Sequence, residues 1–221
     1  MARRRALYND GMATRSPAVP GFTTLGLRES LVAAVTALGY EEPTPVQRET
    51  IPLMLSGRDL LAQAATGTGK TAAFALPLLH RLLEQPSSKH RTRALVLVPT
   101  RELAMQVAEA IHKYGRGTGL TVLPVYGGAS MQQQIRALDR GADIVIATPG
   151  RALDHLRRKT MTLDALEILV LDEADEMLDM GFAEDLEAIL SALPEQRQTA
   201  LFSATMAYRV GQIAERHLKE P

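Results

Sequence analysis

The sequence predicts a doubly wound α/β fold, in which one parallel β-sheet is flanked by helices on both faces. Short runs rich in Val, Leu and Ile lack the polar–apolar alternation of half-exposed strands, which indicates burial on both faces. These runs alternate with longer segments of helical periodicity, a pattern that favours right-handed βαβ units. Residues 22–221 contain no internal repeat and no change of composition that would mark a domain boundary, so we expect them to form a single domain.

In chain order, two helices over 28–38 and 45–54 precede the first strand. The apolar runs then predict six strands, at 59–64, 94–98, 122–126, 143–147, 168–171 and 199–202. The segments between and after them predict the remaining helices, at 70–84, 101–114, 130–139, 151–158, 182–192 and 207–218. Since each strand is followed by a helix, the sheet is expected to be parallel.

Composition excludes several classes of protein. The 221 residues are 46% hydrophobic and 23% charged, as in ordinary globular chains. No run approaches the roughly 18 consecutive apolar residues of a membrane-spanning helix. The absence of cysteine excludes a disulfide scaffold, a thiolate zinc site and a cysteine nucleophile, and it fits a reducing compartment. With five Tyr, four Phe and no Trp, an aromatic platform that stacks several bases is not expected.

The formal net charge of zero conceals an uneven distribution. Residues 160–196 contain 11 Asp or Glu and no Lys or Arg, which leaves 25 basic against 14 acidic residues elsewhere. This surplus permits a positive face suited to a polyanion, although the acidic stretch can equally be a solvated helix face. Residues 1–21, with Arg3, Arg4, Arg5 and Arg15 among Gly, Pro, Ser and Ala, are expected to form a flexible basic tail.

An unusual cluster of residues follows each of the six predicted strands. Because ligands of open parallel sheets bind at the carboxyl ends of the strands, all six clusters are expected to line one edge of the sheet. They are Ala-Thr-Gly-Thr-Gly-Lys-Thr at 65–71, Pro-Thr-Arg-Glu at 99–102, Gly127-Gly128, Thr-Pro-Gly-Arg at 148–151, Asp-Glu-Ala-Asp at 172–175 and Ser-Ala-Thr at 203–205.

The first cluster has the pattern of a phosphate-binding loop. Gly67 and Gly69 let the backbone curl so that its N–H groups face phosphate oxygens. Thr66 precedes Gly67, and Thr68 lies between the two glycines, so both belong to this predicted binding loop. Lys70 opens the following helix and is expected to reach the β- and γ-phosphates, and the Thr71 hydroxyl is expected to bind Mg²⁺. The alternative is a glycine-rich turn that happens to precede a helix.

The acidic cluster supplies the matching half of a nucleotide site. Asp172, at the end of an apolar strand, is expected to hold Mg²⁺. In an extended backbone Glu173 points to the opposite side, where it would polarise an attacking water. Asp175 is expected to couple this loop to the last strand through the hydroxyls of Ser203 and Thr205, although these hydroxyls can equally cap a turn.

The clusters at 99–102, 127–128 and 148–151 indicate a second polyanion. Arg101 and Arg151 each stand at a predicted helix start beside a threonine, Thr100 and Thr148, and Gly128 permits close backbone approach. Backbone donors, hydroxyls and guanidinium groups in this arrangement suit the phosphates of a nucleic-acid strand, independent of base sequence. The alternative for either arginine is an exposed ion pair.

From Phe22 to Thr205 the chain resembles the DEAD-box family of ATP-dependent RNA helicases. The motifs that carry the resemblance are Gly39–Gln47, Ala64–Thr71, Pro99–Gln106, Gly127-Gly128, Thr148–Arg151, Asp172–Asp175 and Ser203–Thr205. The resemblance implies that Gln47 reads adenine through its amide and that Phe22, 17 residues before Gly39, packs on the adenine ring. It also implies that Pro99 belongs to the RNA-binding set.

The resemblance implies a P-loop RecA-like lobe that binds ATP, Mg²⁺ and the RNA sugar–phosphate backbone in the cytoplasm, without a membrane. Family members have a second RecA-like lobe with arginine fingers, which is not found in these residues; we therefore expect this lobe to bind ATP but hydrolyse it poorly. Lys70 and Glu173 are the expected catalytic residues. Two alternatives stay open: a P-loop motor that acts on DNA or protein, and a non-catalytic RNA-binding scaffold.

Overall fold

The computed structural model describes residues 21–85 and 91–221 and confirms the predicted α/β class. All six strands are parallel and form one sheet in the order β1-β6-β5-β2-β4-β3. The strands are β1 (Leu60–Gln63), β2 (Ala94–Leu97), β3 (Val122–Val125), β4 (Ile144–Ala147), β5 (Ile168–Leu171) and β6 (Gln198–Ser203). Apart from Gly21, the predicted basic tail lies outside the described residues.

The eight predicted helices are present, each within about two residues of its expected bounds. They are α1 (Glu29–Ala37), α2 (Pro45–Leu55), α3 (Lys70–Glu84), α4 (Arg101–Tyr114), α5 (Met131–Asp139), α6 (Pro149–Arg157), α8 (Ala183–Ser191) and α9 (Tyr208–His217). Helix α6 begins at Pro149, two residues early, because the fixed φ of proline suits the first helical turn. None of the helices in the described ranges is long and apolar enough to cross a bilayer.

Two elements were not anticipated, namely the short helix α7 (Ala174–Asp179) and a 3₁₀ turn over Phe22–Leu25. Helix α7 has only 6 residues, too few to establish a helical periodicity in the sequence. It begins directly after the Asp172-Glu173 pair and therefore fixes where strand β5 gives way to the acidic cluster.

Two apolar layers sandwich the sheet because successive strand residues face opposite sides. On one side Val96 and Ile146 pack against buried residues of α1, α2, α3 and α4. On the other side Leu95 and Leu97 pack against α6, α7, α8 and α9. Helices on both faces are the doubly wound arrangement that the buried strands predict.

The expectation that every strand is buried on both faces is wrong for the two outer strands: β1 is exposed on one face, and in β3 Val125 is buried while the other three residues are half-buried. Leu60 and Ala62 are buried, whereas Leu61 and Gln63 are exposed. The reason is the position of β1 at the edge of the sheet, where the covering helices end. Strands β2, β4 and β5, inside the sheet, are buried at every residue.

Candidate nucleotide and nucleic-acid site

The loop between β1 and α3 has the backbone that its glycines predict. Gly67 and Gly69 have φ of +83° and +92°, a left-handed conformation that favours glycine. The Thr68 hydroxyl donates to the carbonyl of Ala65 at 2.7 Å and so closes the turn from within. Lys70 is the first residue of α3, so its ammonium group and the amino end of the helix lie on the same side of the loop.

Lys70 and the acidic cluster meet in a buried group of charges. Nζ of Lys70 lies 2.9 Å from Oε1 of Glu173 and 4.0 Å from Oδ1 of Asp172. The Thr66 hydroxyl donates to the same Glu173 oxygen at 2.9 Å. The side chains of Lys70, Asp172 and Glu173 are 4%, 3% and 9% exposed, respectively. Strand β6 separates β1 from β5 in the sheet, so these contacts bridge two strands that are not neighbours.

Burial raises the pKa of Asp172 to about 7, although the ammonium of Lys70 opposes the shift. A carboxyl group held in this way is poorly solvated and gains from a cation close to it. Asp172 offers a carboxylate, and the half-buried Thr71 offers a hydroxyl at the start of α3. This donor set fits Mg²⁺, which commonly binds one or two protein oxygens and takes the rest from phosphates and water.

The prediction that Asp172 and Glu173 point to opposite sides is wrong. Strand β5 ends at Leu171, and Glu173 has φ +53° and ψ +52° in the left-handed region. The backbone is therefore no longer extended where the alternation was assumed, and both carboxylates turn towards Lys70. A non-glycine residue in this conformation is strained, and such strain concentrates at functional sites.

A cavity of about 370 Å³ opens beside this cluster. One wall carries the loop and the acidic residues, and the other carries residues of α4. Its lining includes Thr66, Lys70, Thr71, Asp172, Gln106 and Tyr114. The two carboxylates and the ammonium lie in one wall of this cavity. The cavity therefore has the chemistry to bind a magnesium-bound triphosphate.

The structure does not bring Phe22 and Gln47 to the wall of this cavity. Phe22 is 3% exposed and packs edge-to-face on Tyr40, with ring centroids 6.1 Å apart. Gln47 accepts from the backbone N–H of Thr44 at 3.0 Å and donates to the carbonyl of Gly69 at 3.0 Å. Gln47 therefore contacts the phosphate loop, whereas Phe22 is packed against Tyr40, and the contacts of both residues with adenine stay a prediction.

Asp175, Ser203 and Thr205 form the hydrogen bonds that the coupling hypothesis requires. Oδ2 of Asp175 accepts from the backbone N–H and the hydroxyl of Thr205 at 2.9 and 2.8 Å, and its own N–H donates to Ser203 Oγ at 3.3 Å. Burial alone would raise the pKa of Asp175, but the hydrogen bonds from Thr205 and Ser203 hold it below its usual value. Neither hydroxyl caps α9, which has Ala207 at its N-cap. The coupling role itself stays a prediction.

The residues assigned to a nucleic-acid strand lie at the ends of β2, β3 and β4. Pro99 is buried after β2, and Thr100 caps α4 by accepting from the N–H of Leu103 at 3.2 Å. Arg101 is 62% exposed and pairs with Glu102, as the alternative had it. A Cβ placed on Gly128 would lie 3.9 Å from Nη1 of Arg101, so these two residues are adjacent.

Thr148 and Arg151 complete that set at the end of β4. Thr148 stands at the N-cap of α6 without using its side chain as a cap. Nη1 of Arg151 donates to the carbonyl of Ala129 at 3.1 Å and to Oε1 of Gln134 at 3.0 Å. The alternative of an exposed ion pair is therefore wrong for Arg151, because its hydrogen-bond partners among the described residues are uncharged oxygens.

The strand order separates the two sets of residues. The residues predicted for nucleotide binding and for coupling follow β1, β5 and β6, on one half of the sheet, and those predicted for the nucleic-acid strand follow β2, β4 and β3, on the other. The sequence did not predict this division, nor did it point to Gln134 and His155, which are buried behind Arg151. One signal was available: Arg151 and His155 are four residues apart and so share a face of α6.

Comparison with known proteins identifies the family. The family model described as "DEAD/DEAH box helicase" matches residues 44–213. The chain therefore belongs to the DEAD/DEAH box helicase family, which confirms the resemblance read from the motifs. A crystal structure of a DEAD box protein from the hyperthermophile Methanococcus jannaschii superimposes with a TM-score of 0.85 and 41% identity, over 90% of this chain and 54% of the other.

Bacterial relatives are similar over nearly the whole chain. A DEAD-box ATP-dependent RNA helicase CshA from Bacillus cereus is 52% identical over 200 residues, which are 90% of this chain and 38% of the relative. The proteins of the same name from Listeria monocytogenes and Bacillus subtilis are 52% and 49% identical, and 38% and 40% of their lengths are covered. The chain thus spans about two fifths of the length of these relatives.

Proposed function

We propose that this chain is the ATP-binding RecA-like lobe of a DEAD-box RNA helicase. The observation that carries the proposal is the convergence of Lys70, Asp172 and Glu173 on one cavity beside the glycine-rich loop. Phosphate oxygens would bind the loop N–H groups and Lys70, and Mg²⁺ would bind Asp172 and Thr71. When bound, the magnesium ion neutralises charge on the phosphates.

Glu173 is the proposed catalytic residue that orients the attacking water. Its carboxylate is held by Lys70 and Thr66, both of which belong to the nucleotide-binding segment. A triphosphate that takes Lys70 as its own counter-ion therefore releases Glu173 from its ion pair. The same binding event thus frees the carboxylate for a water, and both residues act at one place.

The other half of the edge is proposed to bind the backbone of single-stranded RNA. Arg101, Gly128 and Arg151 lie side by side there and offer guanidinium groups and an open backbone. Contacts of this kind read phosphates and not bases, so binding is expected to be independent of sequence. The names of the relatives, which are RNA helicases, support RNA over DNA as the strand.

The remaining parts of the proposal follow from the family. The relatives are longer than this chain, which supports a second RecA-like lobe as the partner that completes the enzyme. Coupling of ATP hydrolysis to local duplex separation belongs to that complete enzyme. The cytoplasm stays the expected compartment, on the same family resemblance.

Two substitutions test the nucleotide site. We expect Lys70→Ala to weaken binding of a non-hydrolysable ATP analogue with Mg²⁺ roughly a hundredfold, because charge-assisted contacts are lost and two buried carboxylates then face the phosphates. Glu173→Gln should bind the analogue at least as tightly as wild type, since Lys70 loses its ionised partner. Isothermal titration calorimetry measures both.

Lys113→Ala is the matched control, because Lys113 is an exposed lysine that pairs with Glu109 on the surface of α4. Equal affinity in all four proteins would show that the loop before α3 is not the nucleotide site. In the full-length protein, Glu173→Gln should retain ATP binding and lose hydrolysis.

A further inference from the structure

A buried chain of hydrogen bonds stands behind Arg151. Oε1 of Gln134 accepts from Nη1 of Arg151 at 3.0 Å and lies 3.0 Å from Nε2 of His155. Nδ1 of His155 lies 2.8 Å from the hydroxyl of Thr160. Gln134 is 6% exposed and His155 is fully buried. Four polar side chains thus occupy a place where apolar packing would cost less to assemble.

The direction of each hydrogen bond follows from the available donors. The Gln134 amide nitrogen donates to the carbonyl of Tyr126 at 3.0 Å, so its oxygen faces Arg151 and His155. That oxygen has two lone pairs, one for each partner. His155 therefore donates from Nε2 to Gln134, and in its neutral form Nδ1 accepts from the Thr160 hydroxyl at 2.8 Å, while the other acceptor near that hydroxyl, the His155 carbonyl, lies farther away at 3.3 Å. Burial, followed by the charge of Arg151, lowers the pKa of His155, in agreement with this neutral form.

The same contacts hold the glycine turn that follows β3. Gln134 binds the carbonyl of Tyr126 on one side of Gly127-Gly128, and Arg151 binds the carbonyl of Ala129 on the other side. One end of the turn is therefore bound directly by the buried Gln134 amide, and the other end by Arg151, which contacts the same amide. Loss of that amide would release the turn and the guanidinium group together.

Only one nitrogen of the Arg151 guanidinium is used. Nη1 makes both hydrogen bonds, whereas Nε and Nη2 have no hydrogen-bond partner among the described residues. The planar group is thus held at one corner, and its remaining donors are left for a ligand. A guanidinium in this state matches the two oxygens of a phosphodiester.

We propose that Gln134 and His155 are positioning residues for RNA, which act by holding Arg151 and the Gly127-Gly128 turn in the orientation that binds a phosphodiester. The inference rests on the proposed RNA-binding function. His155 orients the Gln134 oxygen, and Gln134 passes that orientation to Arg151. An arginine without this support would have to lose its rotamer freedom when RNA binds.

A double-mutant cycle tests the proposal. His155→Leu removes the Nε2 donor, and binding of a fluorescein-labelled oligouridylate to the chain should weaken about three- to tenfold, the range for immobilising one flexible side chain. In an Arg151→Ala background the same substitution should have no further effect, because its target is gone. His155→Gln, which restores a donor near the Nε2 position, should bind within about twofold of wild type. Fluorescence anisotropy at fixed salt measures each.

Binding of the ATP analogue and the melting temperature report on folding of the His155 variants. If His155→Leu fails to fold, Gln134→Met removes the oxygen that His155 and Arg151 share, at similar side-chain volume, and completes the cycle. Equal weakening in both backgrounds, or no weakening with wild-type Arg151, would overturn the positioning role. If Arg151→Ala itself leaves RNA binding unchanged, the RNA surface of the proposed function is wrong as well.

Discussion

Asp172 and Glu173 are adjacent in sequence, and both carboxylates face the ammonium of Lys70. A single left-handed residue, Glu173, achieves this by turning the chain sharply as β5 ends. The two acids nevertheless differ in their surroundings. Glu173 has a close ion pair and a hydroxyl donor, whereas Asp172 lies farther from Lys70 and burial raises its pKa. Because the single ammonium of Lys70 faces two carboxylates, the site can accept a further cation.

The raised pKa of Asp172 predicts a pH-dependent stability. A carboxyl group whose pKa rises on folding stabilises the native state below its unfolded pKa, and this contribution is lost as the pH rises to about 7. Between pH 5 and pH 8 the wild-type chain should lose up to about 3 kcal/mol that Asp172→Asn does not lose.

Urea unfolding at the two pH values, without nucleotide or magnesium, measures this difference. Asp164→Asn is the control, because Asp164 is an exposed acid paired with Arg91. The same loss in wild type and Asp172→Asn would mean that Asp172 keeps an ordinary pKa in the folded chain.

At the scale of elements, the site residues lie in the turns after the strands, and the flanking helices and strands hold these turns in place. The loop before α3 depends on Gly67 and Gly69, both at positive φ. Gly69 has a second constraint, since an added Cβ would lie 2.5 Å from Nε2 of Gln47. Gln47 in turn belongs to the capping box of α2 together with Thr44. The start of α2 and the start of α3 are therefore built as one unit.

Alanine substitutions separate the two roles of these glycines. Gly67→Ala should cost about 1–2 kcal/mol of unfolding free energy, because only the left-handed conformation is penalised and no atom lies within 4 Å of the new Cβ. Gly69→Ala should cost about 1 kcal/mol more, since it also displaces Gln47 from the Gly69 carbonyl. Denaturant unfolding measures both values. Equal costs would mean that the Gln47 contact adds nothing to stability.

Local features of this chain could be read from its sequence. The glycines and Lys70 of the phosphate loop, the apolar run of β5 and the start of α4 at Arg101 depend on neighbours a few residues away. The placement of β6 between β1 and β5 could not be read, because parallel strands pair through contacts distant in the chain. The turn at Glu173 was missed for a related reason: tertiary contacts hold a non-glycine residue in a left-handed conformation that its type disfavours.

At the scale of the whole molecule, the strand order gives the residues proposed for each ligand their own half of the sheet. The residues proposed for nucleotide binding and for coupling follow β1, β5 and β6, and the residues proposed for RNA follow β2, β4 and β3. The boundary runs between β5 and β2, which pair along their whole length. Two polyanions can therefore bind side by side without sharing a positive side chain.

This division predicts how RNA binding responds to salt. Arg101→Ala and Arg151→Ala should each reduce the slope of log affinity against log salt concentration by about 0.7, the value for one phosphate contact on a single strand. Arg58→Ala should leave the slope unchanged, because Arg58 is an exposed arginine just before β1 and thus lies at the amino ends of the strands, away from the carboxyl ends that carry the proposed RNA site. Anisotropy titrations over a range of salt concentrations measure the slopes. Equal affinity for a DNA strand of the same length would favour the alternative of a general nucleic-acid motor.

If Gln47 binds adenine as predicted, its hydrogen bond to the Gly69 carbonyl would link base recognition to the phosphate-binding loop. If the Gln47 amide rotated towards a purine and left this carbonyl, the backbone around the phosphates would be free to relax at Gly69, the last glycine of the loop. A nucleotide with a different base would leave the Gln47 amide bound to the Gly69 carbonyl, so its phosphates would meet a loop of different shape. Discrimination between bases would then appear as a difference in affinity for the distant triphosphate, with no separate relay.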